Sequence, residues 1–183
     1  MIYGVNNPRS TQPTGVFIIS TFDKDGISEI DSGFRIQTQM TTAAPIDSFS
    51  VQPGSVVNGE VSDYTFTIST RVTIIDGDVL TFVFPEQIRL PRTVEELNIT
   101  PLPRIVNGVE VLDELQVEIS GSKIIITFVK VAPTTQTYKW TLSNIANPPS
   151  EQTSGAFSDV ISVDAQGYLV QQFYGVGPRI TNT

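Results

Sequence analysis

The sequence predicts an all-β protein, a Greek-key β-sandwich accompanied by part of a second unit of the same kind. Three observations carry that expectation. Short stretches alternate apolar and polar residues, as in Tyr64-Thr65-Phe66-Thr67-Ile68-Ser69, and turn signals separate them every ~8–12 residues. No segment sustains a helical apolar period over ten residues. One stretch also occurs twice. VNNPRSTQPTGVFIISTFDKDG, from Val5 to Gly26, returns as IANPPSEQTSGAFSDVISVDAQG, from Ile145 to Gly167. At an offset of about 140 residues Asn7, Pro8, Ser10, Gln12, Gly15 and Phe17 meet Asn147, Pro148, Ser150, Gln152, Gly155 and Phe157, the mark of a tandem array. After one inserted residue, Asp23 and Gly26 meet Asp164 and Gly167.

In chain order, GVFIISTF (15–22) is a β-rich run closed by Asp23-Lys24-Asp25-Gly26, a turn in which glycine supplies positive φ. Residues 27–37 are its hairpin partner. MTTAAP (40–45) is small, polar and ends in proline, which suggests a domain boundary. Phe49 and Val51 alternate up to Pro53-Gly54, and Tyr64, Phe66 and Ile68 form a strand with one wet face. VLTFVF follows Asp76-Gly77-Asp78 and stops at Pro85. The proline-interrupted stretch 86–107 is irregular, with one helical turn around Val94–Leu97. Residues 109–119 alternate around Val111, Leu115 and Val117, and Ser120-Gly121-Ser122 turns them into the strand 123–129. Tyr138, Trp140 and Leu142 alternate before the second copy of the motif.

These strands divide into residues 1–43, the closing hairpin of a preceding or neighbouring sandwich, and residues 44–183, a complete sandwich ending in the second copy. Its core is expected to take Phe49, Val51, Phe66, Ile68, Leu80, Phe82, Leu115, Ile124, Ile126, Phe128, Trp140, Leu142 and Phe157. Met1-Ile2-Tyr3 stands where Trp140-Thr141-Leu142 precedes the second copy, so the chain is expected to begin partway through a unit.

Composition removes whole classes of chemistry. The chain has no cysteine and no histidine, so thiolate chemistry, disulfides and imidazole bases are excluded. Its formal charge of −8, with no clustered Lys/Arg stripe, argues against nucleic acid as a partner. No apolar run approaches the roughly 20 residues that span a bilayer. Residues 1–4 lack the pattern of a signal peptide, so secretion would require targeting segments outside this sequence.

The motif resembles the end of the Ig-like units in large repetitive surface proteins. Asn7-Pro8-Arg9-Ser10-Thr11-Gln12-Pro13-Thr14 is similar to an Asn-Pro-Arg-Ser-Thr-Lys-Pro-Thr phrase in the very long extracellular repeat proteins of ciliates. Looser versions occur in bacterial surface adhesins. The second copy departs from the phrase at Pro149 and Ser154. The resemblance covers both copies strongly and the strands between them weakly. It implies an Ig-like fold, an extracellular or cell-surface setting, and a structural or adhesive role without catalytic residues.

Read physically, Pro8 and Pro148 end the preceding strand, Asn7 and Asn147 are placed to bond their own downstream backbone, Gly15 and Gly155 reopen the strand, and Phe17 and Phe157 return to the core. Calcium is weighed at Asp23 and Asp25, with Glu29 and Asp31 nearby, and at Asp76 and Asp78. The spacing is not that of an EF-hand, and the second copy does not repeat the ligands, so solvated turns are the plainer reading. Glu95, Glu96, Glu110, Asp113 and Glu114 carry no spacing that marks a glycosidase pair. No phosphate loop or nucleophile elbow is present, and no enzyme or cofactor is expected. Asn98-Ile99-Thr100 is an N-glycosylation acceptor in a surface stretch. The leading expectation is a structural repeat unit of an extracellular fibre or coat, arranged head to tail with copies of itself and joined by strand complementation. The alternative is an adhesin-type module that binds a glycan or protein through loops, with Tyr168, Phe173 and Tyr174 as its aromatic group.

Overall fold

A computed structural model describes residues 7–40, 42–132 and 137–182, without the Phe34 side chain. The Met1–Tyr3 stretch and Val5 lie outside the described residues. The protein is an all-β sandwich. Its strands are β1 (Phe17–Phe22), β2 (Glu29–Ile36), β3 (Ala44–Pro53), β4 (Val61–Thr70), β5 (Val79–Val83), β6 (Ile99–Pro101), β7 (Arg104–Val106), β8 (Val109–Val111), β9 (Glu114–Ser120), β10 (Lys123–Lys130), β11 (Thr137–Ala146), β12 (Ser158–Val163) and β13 (Leu169–Gln172). One layer runs β6-β11-β4-β3 and the other β13-β12-β5-β10-β9. Strand β4 lies in the first layer and β5 in the second. The chain later returns to pair β11 with β4 and β12 with β5, the crossing pattern of an Ig-like Greek key.

Strand β3 joins the layers. It pairs in parallel with β13 only at Ala44 and Pro45, then antiparallel with β4 from Ile46 onward. Pro45 therefore sits inside the strand rather than closing a linker. It occupies the switch point, where the loss of one N–H donor does little harm to either ladder. Residues 42–45 thus lead directly into the sandwich, with Ala43 and Ile46 buried.

The core follows the alternation. Tyr64, Phe66 and Ile68 are buried on β4 while their neighbours face outward, and Phe66 stacks on Trp140 of β11 at 5.8 Å. Phe82 of β5 meets Phe66 across the layers at 5.0 Å. Val51 and Leu115 are only half-buried and pack against the cluster rather than within it. Tyr138, Ile74, Phe84, Ile88, Leu97 and Ile145 belong to the core as well. Burying a side chain of this size contributes roughly 1.5–3 kcal/mol, so the aromatic centre is the main stabilising feature.

Two further stretches depart from their local pattern. The run 109–119 breaks into β8 and β9 at Leu112-Asp113, because Asp113 turns inward to Arg104. The irregular stretch supplies two short strands, β6 and β7, after a single 3-10 turn at Val94–Glu96.

Candidate functional site

The repeated motif folds twice, with opposite outcomes. In the second copy Phe157 is 1% exposed and meets Phe84 edge to face at 4.8 Å. From there β12 and β13 run between β5 and β3. In the first copy β1 and β2 form a two-stranded sheet apart from the sandwich. Phe17 is 50% exposed, and Ile18, Ile19, Phe22, Ile27, Ile30 and Ile36 are exposed with it. Phe17 therefore does not enter the core of this sandwich, among whose expected members it was not counted. The local pattern was right for the hairpin, but the slot it fits is already filled by β12 and β13.

The segment leading into this hairpin is fixed to the sandwich. Arg9 pairs with the buried carboxylate of Asp78 and donates from Nε to the Thr73 carbonyl at 3.2 Å. Ser10 Oγ donates to Asp164 Oδ2 at 2.7 Å, and the Thr11 amide donates to the Leu169 carbonyl at 2.8 Å. Residues 9–11 thus form a strap that seats the first copy of the motif on the hairpin turn of the second. The counterpart segment in the second copy, Pro149 to Thr153, is exposed.

The turns recur in detail. Gly26 N donates to Asp23 O and Gly167 N to Asp164 O, both at 2.9 Å, with φ of 69° and 85° at the two glycines. Each aspartate also accepts at 3.0 Å from the amide two residues on, Asp25 or Gln166. Burial pushes the Asp164 carboxyl up, but hydrogen bonds from Ser10, Tyr168 and Gln166, together with Arg9, hold it below the usual carboxylate range. Burial pushes Asp78 above that range despite the Ile75 amide and Arg9, and the charge of Asp164 adds to the shift.

The two asparagines diverge as well. Asn147 does not bond its own downstream backbone. It is buried, accepts from Tyr64 Oη at 2.7 Å, and donates to the Ser55 and Val57 carbonyls, each at 2.9 Å. It ties β11 to the β3–β4 connection. Asn7 is exposed. β11 ends at Ala146, and Pro148 follows after Asn147. Gly15 is exposed with open space around it, whereas Gly155 lies against Pro85 and Gln87 and its amide donates to Gln87 Oε1 at 2.9 Å.

The remaining sequence candidates do not converge. Asp23 and Asp78 each accept a nearby backbone amide, and Asp76 Oδ1 accepts from Val131 N at 2.8 Å. Asp25, Glu29 and Asp31 are exposed, and among the described residues no group of three or more His, Cys, Asp or Glu is placed to hold a metal ion. Glu95, Glu96, Glu110 and Glu114 are exposed, while Asp113 is bound by Arg104. Phe173 leaves the proposed aromatic group to pack on Phe49 at 6.3 Å, and Tyr174 alone is largely exposed. Asn98 is exposed just before β6. Among the described residues no helix is long and apolar enough to cross a membrane.

No protein-family model matches the chain, and no curated protein does. Two solved structures are similar in outline. One is BslA, a bacterial hydrophobin, with TM-score 0.40, 13% identity, and coverage of 74% of this chain and 97% of that one. The other is a non-cellulosomal cohesin from the hyperthermophilic archaeon Archaeoglobus fulgidus, with TM-score 0.39, 8% identity, and coverage of 69% and 91%.

Proposed function

We propose that this chain is a structural repeat unit of an extracellular fibre or cell-surface coat, in which Ig-like sandwiches stand in series. The observation that carries the reading is the doubled motif. One copy closes the sandwich, while the other is strapped to it and displays an apolar hairpin beyond it. Two copies of one hairpin, one inside the sandwich and one displayed beyond the strap, suit serial, open-ended arrangement. The similarity of Asn7 to Thr14 to the phrase in ciliate surface repeats supports the same setting.

The reading is non-catalytic and involves neither a cofactor nor nucleic acid. Carboxylates are dispersed or occupied by backbone amides and arginines, and net charge −8 disfavours a phosphate backbone. Function is mechanical. Each sandwich buries its own aromatic core, and the strap sets how one unit leads into the next. Asn98 is placed to carry a glycan on the outside of such a coat.

The test is the mass of the native polypeptide, boiled in strong denaturant and run beside a 20 kDa standard, with immunogold labelling of intact cells. A chain many times larger, labelled at the surface, is expected. A cytosolic protein of this length with no higher assembly would overturn the proposal.

A further inference from the structure

The β1–β2 hairpin and the β12–β13 hairpin share their pairing beside the turn, although β1–β2 has a further irregularity between Ile19 and Ser20. Phe22↔Glu29, Thr21↔Asp31 and Ser20↔Ser32 in the first match Val163↔Leu169, Ser162↔Gln171 and Ile161↔Gln172 in the second. Each has an irregularity at the same step, between Thr21 and Phe22 or between Ser162 and Val163. The Asp23 amide donates to the Ser28 carbonyl where the Asp164 amide donates to that of Tyr168, so the first turn is one residue longer. The second copy recovers that residue upstream. Against β5, Ser158↔Val83 is followed by Ile161↔Thr81, and Asp159 takes φ of 51°. This is a β-bulge, and it accounts for the inserted residue in the sequence alignment. Phe17–Ser32 and Phe157–Gln172 therefore span equal lengths.

That register places Ile19 on Val160 and Ile30 on Val170, with Phe17 on Phe157. The three residues of the second copy are 1–2% exposed, whereas Phe17, Ile19 and Ile30 are 50%, 52% and 68% exposed. The positions that enter the sandwich in one copy are apolar and uncovered in the other. A two-stranded hairpin alone is marginal in water, so this face requires a covering layer.

We propose that the β1–β2 hairpin closes a second sandwich of this same repeat, seated between that unit's counterparts of β5 and β3 with Phe17 in its aromatic centre. The inference rests on the serial reading above and names its joint. The hairpin completes one sandwich while the strap at Arg9–Thr11 grips the next, so one short segment ties two cores together. The Gln171 position resists the transfer. Gln171 is fully buried, accepts from the amides of Arg71 and Val72 at 2.9 and 3.0 Å, and donates to the Val72 carbonyl at 2.9 Å. Asp31 in its place could accept but not donate, so the partner unit must differ where Val72 lies here.

A chimera tests the fit within the full chain. Phe157–Gln172 is replaced by Phe17–Ser32 carrying Asp31→Gln, which also supplies Asp23 where Ser10 needs Asp164. The expected result is one cooperative thermal transition, with Trp140 emission as blue-shifted as in the parent. Phe17→Asp within the transplanted segment should abolish that transition. A chimera that is unfolded or molten, or one indifferent to the aspartate, overturns the proposal. Sedimentation equilibrium of the unaltered chain and of Ile30→Asp reads the hairpin in place. Equal masses are expected, and a dimer that Ile30→Asp dissociates would show hairpins covering each other and overturn the proposal too. Failure in either experiment leaves the serial reading to the mass of the native polypeptide.

Discussion

Ser10 Oγ donates a 2.7 Å hydrogen bond to the carboxylate of Asp164, a residue 154 positions away that opens the turn of the second motif copy. Beside it Arg9 meets Asp78, and the two aspartates are displaced in opposite directions. Asp78 is raised by burial, so its charged form costs stability, and falling pH protonates it above the usual carboxylate range. That step favours the folded sandwich while weakening the grip on Arg9. Asp164 is depressed. Its contribution is complete above the ordinary carboxylate pKa and is lost as pH falls through the lower folded value. On acidification the strap should therefore loosen before the sandwich melts. The protection of the Thr11 amide, whose N–H bonds Leu169, should fall relative to its intrinsic exchange rate on acidification with no drop in melting temperature. Loss of Thr11 protection only alongside global unfolding would contradict this order.

The same residue type in the same motif should differ sharply in worth. Phe157→Ala removes a ring packed against Phe49, Phe66 and Phe84, and truncations of that kind cost about 3–5 kcal/mol. Phe17→Ala removes a half-exposed ring from a hairpin outside the core and should change the stability of this chain by less than about 0.5 kcal/mol. Urea denaturation of both variants measures the contrast. Equal losses would mean that Phe17 is buried after all.

The strands were legible because alternation is local. Tyr64, Phe66 and Ile68 announce a wet and a dry face within six residues, and Lys123 to Lys130 follows Ser120-Gly121-Ser122 as a hairpin must. What sequence could not give was partnership at a distance. β11 lies on β4, and β12 enters between β5 and β13, through contacts that no nearby residue encodes. The motif itself hid the largest difference, since Phe17 and Phe157 share a pattern and only the occupied slot separates their fates. Asn147 misled for a related reason. An asparagine after a strand commonly caps its own turn, yet here the buried Tyr64 hydroxyl of β4 and two carbonyls of the β3–β4 connection compete for it and win. The repeat supplied the one long-range signal, and it marked the turn and both hairpins, whereas the contacts of Arg9–Thr11 came only from the structure.

Arg104 should not tolerate lysine. Its guanidinium makes a two-pronged contact with Asp113 at 2.8 and 2.6 Å, donates to the Ala132 carbonyl at 2.8 Å, and lies 4.6 Å from the Tyr138 ring. Lysine offers a point charge where a planar fork is needed. Arg104→Lys should destabilise by about 1–3 kcal/mol, and Arg104→Ala, which strands a buried aspartate, by about 3–5 kcal/mol. Thermal and urea unfolding would show the ranking, and an Arg104→Lys variant as stable as the parent would refute it.

At Gly177 the fold leaves no room for a side chain. A Cβ there would overlap the Phe157 carbonyl, while the Phe157 amide donates to Pro178 O at 3.0 Å and Ser154 N to Ile180 O at 2.8 Å. The segment 177–180 thus lies along the entry to β12, with Ile180 buried. Gly177→Ala must push this segment off Phe157 or shift β12 itself, and backbone gives way far less easily than a side-chain tip. The expected loss is about 1–3 kcal/mol, with faster amide exchange at Ser154, Phe157 and Ile180. Gly175→Ala meets only the Phe173 ring, which can rotate aside, and should cost less. Ranking the two alanine variants by urea midpoint decides the matter, since a Gly175→Ala loss equal to that of Gly177→Ala would remove the special role of the Phe157 contact.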